Sequence, residues 1–149
     1  MDTFAETMKV AFVCVQNAGR SQMAAAFAER EQDQRDVGDS IEVLTGGTQP
    51  ADTVHEEVVE AMEEVDIDLS NQTPREITPE DLQDCDYVVT MGCSAEGVCP
   101  ATWSGENRDW GLDDPHGKDL ETVREIRDEI ESRVNELFDE LTSTQQSAT

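Results

Sequence analysis

The sequence predicts an α/β fold, a parallel sheet with helices packed on both of its faces. Three observations lead there. Strand-length apolar runs alternate with helical patterns along the chain. The first run, Lys9-Val10-Ala11-Phe12-Val13-Cys14-Val15, is almost unbroken, as expected for a strand covered on both sides. The last pattern is one long apolar stripe with acidic residues opposite it.

After the first strand, Ser21 fits a helix N-cap before an Ala-rich stretch with Met23 and Phe27 on one face. A second strand is expected at Ile41-Glu42-Val43-Leu44-Thr45, closed by Gly46-Gly47. Val58, Met62 and Val65 mark a second amphipathic helix. Pro79 suits the first turn of a short helix ahead of the strand Tyr87-Val88-Val89-Thr90-Met91. In the last helix Leu120, Val123, Ile126, Ile130, Val134, Leu137 and Leu141 step by three and four. Residues 142–149 read as a polar, frayed tail. No internal repeat and no linker between two cores is visible, so one domain over residues 1–149, with a core at about 8–141, is expected.

The charge balance narrows the function. Of 149 residues, 35 are Asp or Glu and 10 Lys or Arg, a formal net charge of -25. That excludes sequence-independent nucleic-acid binding, which needs clustered cations to displace phosphate counterions. It equally excludes a polybasic membrane surface. Lys9 and Lys118 are the only lysines; diffuse acidity with scarce Lys resembles the surface of proteins from salt-accumulating halophiles. An acidic disordered chain is the competing reading, and the periodic apolar blocks argue against it. No stretch approaches the roughly 20 apolar residues of a membrane span. The start, MDTFAETMKV, lacks the basic head and apolar centre of a signal peptide. A cytoplasmic protein is expected, in which Cys14, Cys85, Cys93 and Cys99 suit catalysis or redox chemistry better than a structural disulfide framework.

In folds of this class ligands bind beyond the carboxyl ends of the strands, which directs attention to Cys14-Val15-Gln16-Asn17-Ala18-Gly19-Arg20-Ser21. Five residues between Cys and Arg let a loop wrap an oxyanion with successive backbone N–H groups turned inward. The helix starting near Ser21 adds its positive end, and the Arg20 fork can grip two oxygens. The same field favours a thiolate, making Cys14 a candidate nucleophile beside a tetrahedral anion. Cys-x5-Arg alone is a weak signal; its place at a strand-to-helix turn, with small Ala18 and Gly19 inside and Ser21 behind, makes it strong. The competing reading, a buried strand-end Cys and an Arg in a surface ion pair, is the weaker one.

This motif, continued by Ser21-Gln22-Met23-Ala24, resembles the active-site loop of the low-molecular-weight protein tyrosine phosphatases, and most of all the arsenate reductases of that family. The likeness runs from about Lys9 through the final helix. It implies a three-layer fold around a four-stranded parallel sheet, with Cys14 as nucleophile, Arg20 as oxyanion clamp, Ser21 as support for the thiolate and Asn17 as shaper of the loop. In the family an Asp-Pro pair supplies a general acid, a role that falls on Asp114 of Asp113-Asp114-Pro115-His116-Gly117-Lys118, with Asp113 as the neighbouring substitute.

A hydrolase of this kind needs one Cys, whereas a reductase needs more. Cys93 and Cys99, in Met91-Gly92-Cys93-Ser94-Ala95-Glu96-Gly97-Val98-Cys99-Pro100, resemble the Cys pair of the thioredoxin-coupled reductases, with a spacing one residue shorter. The resemblance implies that Cys93 resolves the Cys14–arsenic adduct and that Cys99 exports the disulfide to a thioredoxin- or glutaredoxin-like reductant. Two alternatives compete: zinc binding by the pair, against which no second close pair is visible, since His55 and His116 stand alone, and two buried loop thiols, against which the Gly-rich sequence around them argues. Cys85 precedes a buried strand and suits packing. Gln22-Met23 stand where the phosphatases usually have Pro, and the single Tyr, Tyr87, leaves no aromatic wall for an aryl substrate. Gln16 and Gly19 depart from the family loop, which usually has a small residue and a second Cys there. Ala25 and Arg75 occupy the places where some members hold potassium, so no metal site and no cofactor are expected.

Overall fold

The computed structural model describes residues 8–37, 40–91, 105–112, 115 and 117–147. Strands β1 (Met8–Cys14), β2 (Ile41–Gly47), β3 (Tyr87–Met91) and β4 (Glu106–Asp109) form one sheet in the order β2-β1-β3-β4. Every neighbouring pair is parallel. The helices are α1 (Arg20–Gln34), α2 (Glu56–Glu63), α3 (Pro79–Gln83) and α4 (Leu120–Ser147).

Alternation along β1 divides the core in two, because successive strand side chains face opposite ways. Val10, Phe12 and Cys14 join Met23, Phe27, Val58, Met62, Ile130, Val134 and Phe138 in the larger cluster beneath α1, α2 and α4. Ala11 and Val13 face the smaller one, with Ile77, Leu82, Cys85 and Val88, covered by α3. Cys85 is therefore a packing residue, as the sequence suggests. Phe12 and Phe138 are fully buried, and truncating either to Ala should cost about 3–5 kcal/mol.

Three elements differ from expectation. α1 begins at Arg20 with Gly19 as its N-cap, two residues earlier than a Ser21 cap allows; the Ser21 hydroxyl goes to the sulfur of Cys14 instead of to a helix N–H. β4, Glu-Asn-Arg-Asp, has no apolar alternation to announce it, being a mostly exposed edge strand held by its ladder to β3. The polar tail is helical as far as Ser147, because the backbone ladder of α4 continues past the last apolar residue, Leu141, and Thr142 Oγ1 donates to the carbonyl of Phe138. The short α3 opens with a capping box between Thr78 and Asp81.

The strand order places the site. β1 is central, with β2 on one side and β3 on the other; the chain leaves β1 for one flank and returns for the opposite one. Such a reversal opens a crevice at the carboxyl end of the sheet. Cys14 stands there, paired in register with Gly47 and Met91.

Candidate active site

From Cys14 the chain turns through residues 15–19 into α1. The loop's carbonyls are tied off on its outer side: Thr48 N–H donates to Cys14 O (3.2 Å), Gln49 to Val15 O (2.8 Å), Ala51 to Gln16 O (2.9 Å) and His55 to Ala18 O (3.0 Å). The peptides are trans, so each outward carbonyl turns the N–H of the next residue the opposite way. The amides of Val15, Gln16, Asn17 and Gly19 therefore face the inside of the loop, and Asn17 N–H donates to Cys14 Sγ at 3.2 Å. α1 has no acidic residue in its first turn and no side-chain cap, so the positive end of its dipole is not neutralised locally. An oxyanion finds there both donors and a favourable field.

Two close approaches require glycine. A Cβ on Gly47 would lie 2.5 Å from the carbonyl oxygen of Val15 and 2.9 Å from Asn17 N. One on Gly19 would lie 2.9 Å from Pro115 Cγ. Asn17 itself adopts φ +52°, a left-handed conformation that Asn tolerates better than most side chains.

The buried polar network behind the loop fixes proton directions. Arg75 N–H, which can only donate, points at Asn17 Oδ1 (3.0 Å), and Gln22 Nε2 reaches the same oxygen (3.1 Å). Asn17 Nδ2 consequently faces Ser21 Oγ (2.8 Å) and Thr45 Oγ1 (3.0 Å). Thr45 spends its one proton on a backbone carbonyl, that of Phe12 at 3.0 Å. Ser21 Oγ accepts from Asn17, which leaves its own proton for Cys14 Sγ, 2.8 Å away. The Cys14 sulfur thus faces two donors, the Ser21 hydroxyl and the Asn17 N–H. Cys14 is 3% exposed and free of disulfide.

Arg20, the first residue of α1, donates from Nη1 to the carbonyl of Leu112 at 2.8 Å. That contact and the Gly19–Pro115 approach bring Leu112 and Pro115 against the loop. Of the residues singled out in the sequence, Cys14, Asn17 and Ser21 are hydrogen-bonded together, on a loop that also carries the backbone of Val15, Gln16, Ala18 and Gly19, while Arg20 at its end directs its guanidinium to Leu112. The Gln16 side chain turns to His55, Oε1 to Nε2 3.1 Å. Cys93, Cys99, Asp113, Asp114 and His116 lie outside the described residues. Thr45 was legible only as a strand residue and Gly47 only as the close of that strand, and Leu112 contributes a backbone oxygen that no sequence pattern marks. Arg75 contributes its backbone N–H to the network.

Comparison with known proteins agrees with this geometry. The family model described as low molecular weight phosphotyrosine protein phosphatase matches residues 9–147. A protein of Halobacterium salinarum named "Putative arsenate reductase" is 61% identical over 134 residues, covering 90% of this chain and 93% of its own. A solved structure described as an arsenate reductase in the phosphate binding state superposes with a TM-score of 0.75 at 34% identity, covering 90% of this chain and 98% of that one. The thioredoxin-dependent arsenate reductase of Corynebacterium glutamicum gives the same TM-score and identity over 95% of this chain, which spans 65% of that longer protein.

Proposed function

This chain belongs to the low molecular weight phosphotyrosine protein phosphatase family, and from that premise we propose that it reduces arsenate to arsenite by a thiol relay. One observation carries the reading: a buried Cys14 sulfur that receives the Ser21 hydroxyl and the Asn17 N–H, at the mouth of a loop whose amides face the same side.

In this reading the amides of residues 15–21 and the Arg20 guanidinium hold the oxygens of the arsenate. Cys14 Sγ attacks arsenic, and one oxygen leaves as water, protonated by Asp114. Cys93 then attacks the Cys14 sulfur of the adduct; the S–As bonding pair stays with arsenic, which departs as arsenite, and a Cys14–Cys93 disulfide forms. Cys99 attacks Cys93, restoring the Cys14 thiolate and moving the disulfide to Cys93–Cys99. A thioredoxin- or glutaredoxin-like dithiol reduces that bond. The relatives named as arsenate reductases support this chemistry. The single Tyr supports it too, since Tyr87 lies on β3 beneath Arg108, 5.6 Å from the ring centroid. Among the described residues no helix is long and apolar enough to cross a membrane. We place the activity in the cytoplasm of a salt-accumulating cell, where thiols stay reduced.

Hydrolysis of phosphotyrosine or small phosphoesters through a phosphocysteine is the second reading, favoured by a loop that needs one sulfur only. Cys93→Ser separates the two. It should abolish multiple-turnover arsenate reduction with a dithiol and spare hydrolysis of an aryl phosphate. Undiminished reduction by the variant would overturn the relay.

A further inference from the structure

Gln22 follows the Arg-Ser pair and is not needed to hold an oxyanion. It is nonetheless buried, 4% exposed, in the first turns of α1. A buried amide is retained at a cost unless its hydrogen bonds matter, and among the described residues this one donates from Nε2 to Asn17 Oδ1 at 3.1 Å.

That contact bears on the sulfur through the order of donors. Asn17 presents an amide that can be turned either way about its last bond, with opposite consequences. With Oδ1 toward Gln22 and Arg75, Nδ2 donates to Ser21, and Ser21 donates to Cys14. Turned over, Oδ1 would face Ser21 and draw its proton away, and the sulfur would lose its shortest donor. Arg75 N–H and Gln22 Nε2 are the two groups that favour the first arrangement. At the far side Thr45 accepts from Nδ2 because its own proton goes to Phe12 O.

We propose that Gln22 is a positioning residue for the nucleophile: by donating to Asn17 Oδ1 it fixes the amide so that the Ser21 hydroxyl points its proton at Cys14. The inference rests on Cys14 being the nucleophile, as proposed above, but it concerns the ionisation of the sulfur and holds for reduction and hydrolysis alike.

The test is the pH profile of iodoacetamide alkylation at Cys14 in the full chain, followed at that peptide by mass spectrometry so that the other three cysteines do not interfere. No substrate is present, so failure of arsenate turnover and failure of this proposal remain distinct results. Gln22→Met keeps length and packing and removes one of two donors to Oδ1; its alkylation midpoint should rise by about half a pH unit, roughly threefold in thiolate at a given pH below the midpoint. Gln22→Glu sets an acceptor against Oδ1 and should raise the midpoint by about one unit or more. A Gln22→Met profile that superimposes on that of the unmodified sequence overturns the proposal, whether or not Gln22→Glu folds. Equal shifts in the two variants also overturn it, since altered packing would then account for both.

Discussion

The guanidinium of Arg20 holds the carbonyl of Leu112 at 2.8 Å, so the residue that would grip an oxyanion also carries the segment leading to Asp113 and Asp114. One side chain thus ties the loop to a residue 92 positions further along the chain. A planar fork can serve a carbonyl with one nitrogen and an anion with others, which an ammonium cannot do in the same geometry. Arg20→Lys should weaken competitive inhibition by phosphate about 10–100-fold. Inhibition constants measured with the variant check this, and unchanged values would remove Arg20 from the clamp.

Gly47 offers a sharper test of loop geometry, because it has no side chain to bind an anion. Gly47→Ala places a methyl group against the Val15 carbonyl and the Asn17 amide. Overpacking of this kind costs about 1–3 kcal/mol. Thermal unfolding should show that loss, and phosphate binding by calorimetry should fall further than stability alone explains. Wild-type affinity in the variant would mean that the loop yields freely.

The acid limb of stability has a named contributor. Arg124, with Arg127, holds the Glu64 carboxyl well below its usual range, at about 2. A depressed carboxylate stabilises the fold fully above its unfolded range, near 4.3, and that contribution fades as pH falls toward 2. Glu64→Gln should therefore flatten the stability profile between about pH 5 and 2 while lowering stability at neutral pH. Urea midpoints across that range decide the matter; parallel profiles would show that the pair contributes nothing.

Salt should act in the opposite direction to its usual effect on ion pairs. A net charge of -25 spreads repulsion over the whole surface, and screening relieves it. Stability and turnover should both rise from dilute to molar KCl, measured by thermal unfolding and by initial rates. A flat or falling stability curve would contradict a salt-adapted surface.

How much of this was legible beforehand follows from what each residue does. β1, β3 and the stripe of α4 announced themselves because burial dictates their side chains. The Cys14–Arg20 loop was legible because its chemistry constrains both spacing and residue size. β2 runs through Gly46 and Gly47, where sequence suggests a stop: its ladder to β1 continues to Cys14, and the glycines answer to neighbours that come too close for a side chain. β4 escaped notice since an exposed edge strand needs no apolar residue. Ser21 looked like a cap because a hydroxyl near a helix start usually serves one; only the fold reveals that a sulfur stands closer. Gln22 and Thr45 gave no sign of their partners, which are set by tertiary proximity alone.

Segment 48–55 fastens the outside of the anion loop through four of its carbonyls, and it leads directly into α2, which Glu64 and Arg127 join to α4. Affinity for the guest is therefore subject to remote control. A substitution at Ala51 or along the α2–α4 seam, out of reach of any ligand, should retune recognition by loosening the mould while leaving every contacting group unchanged.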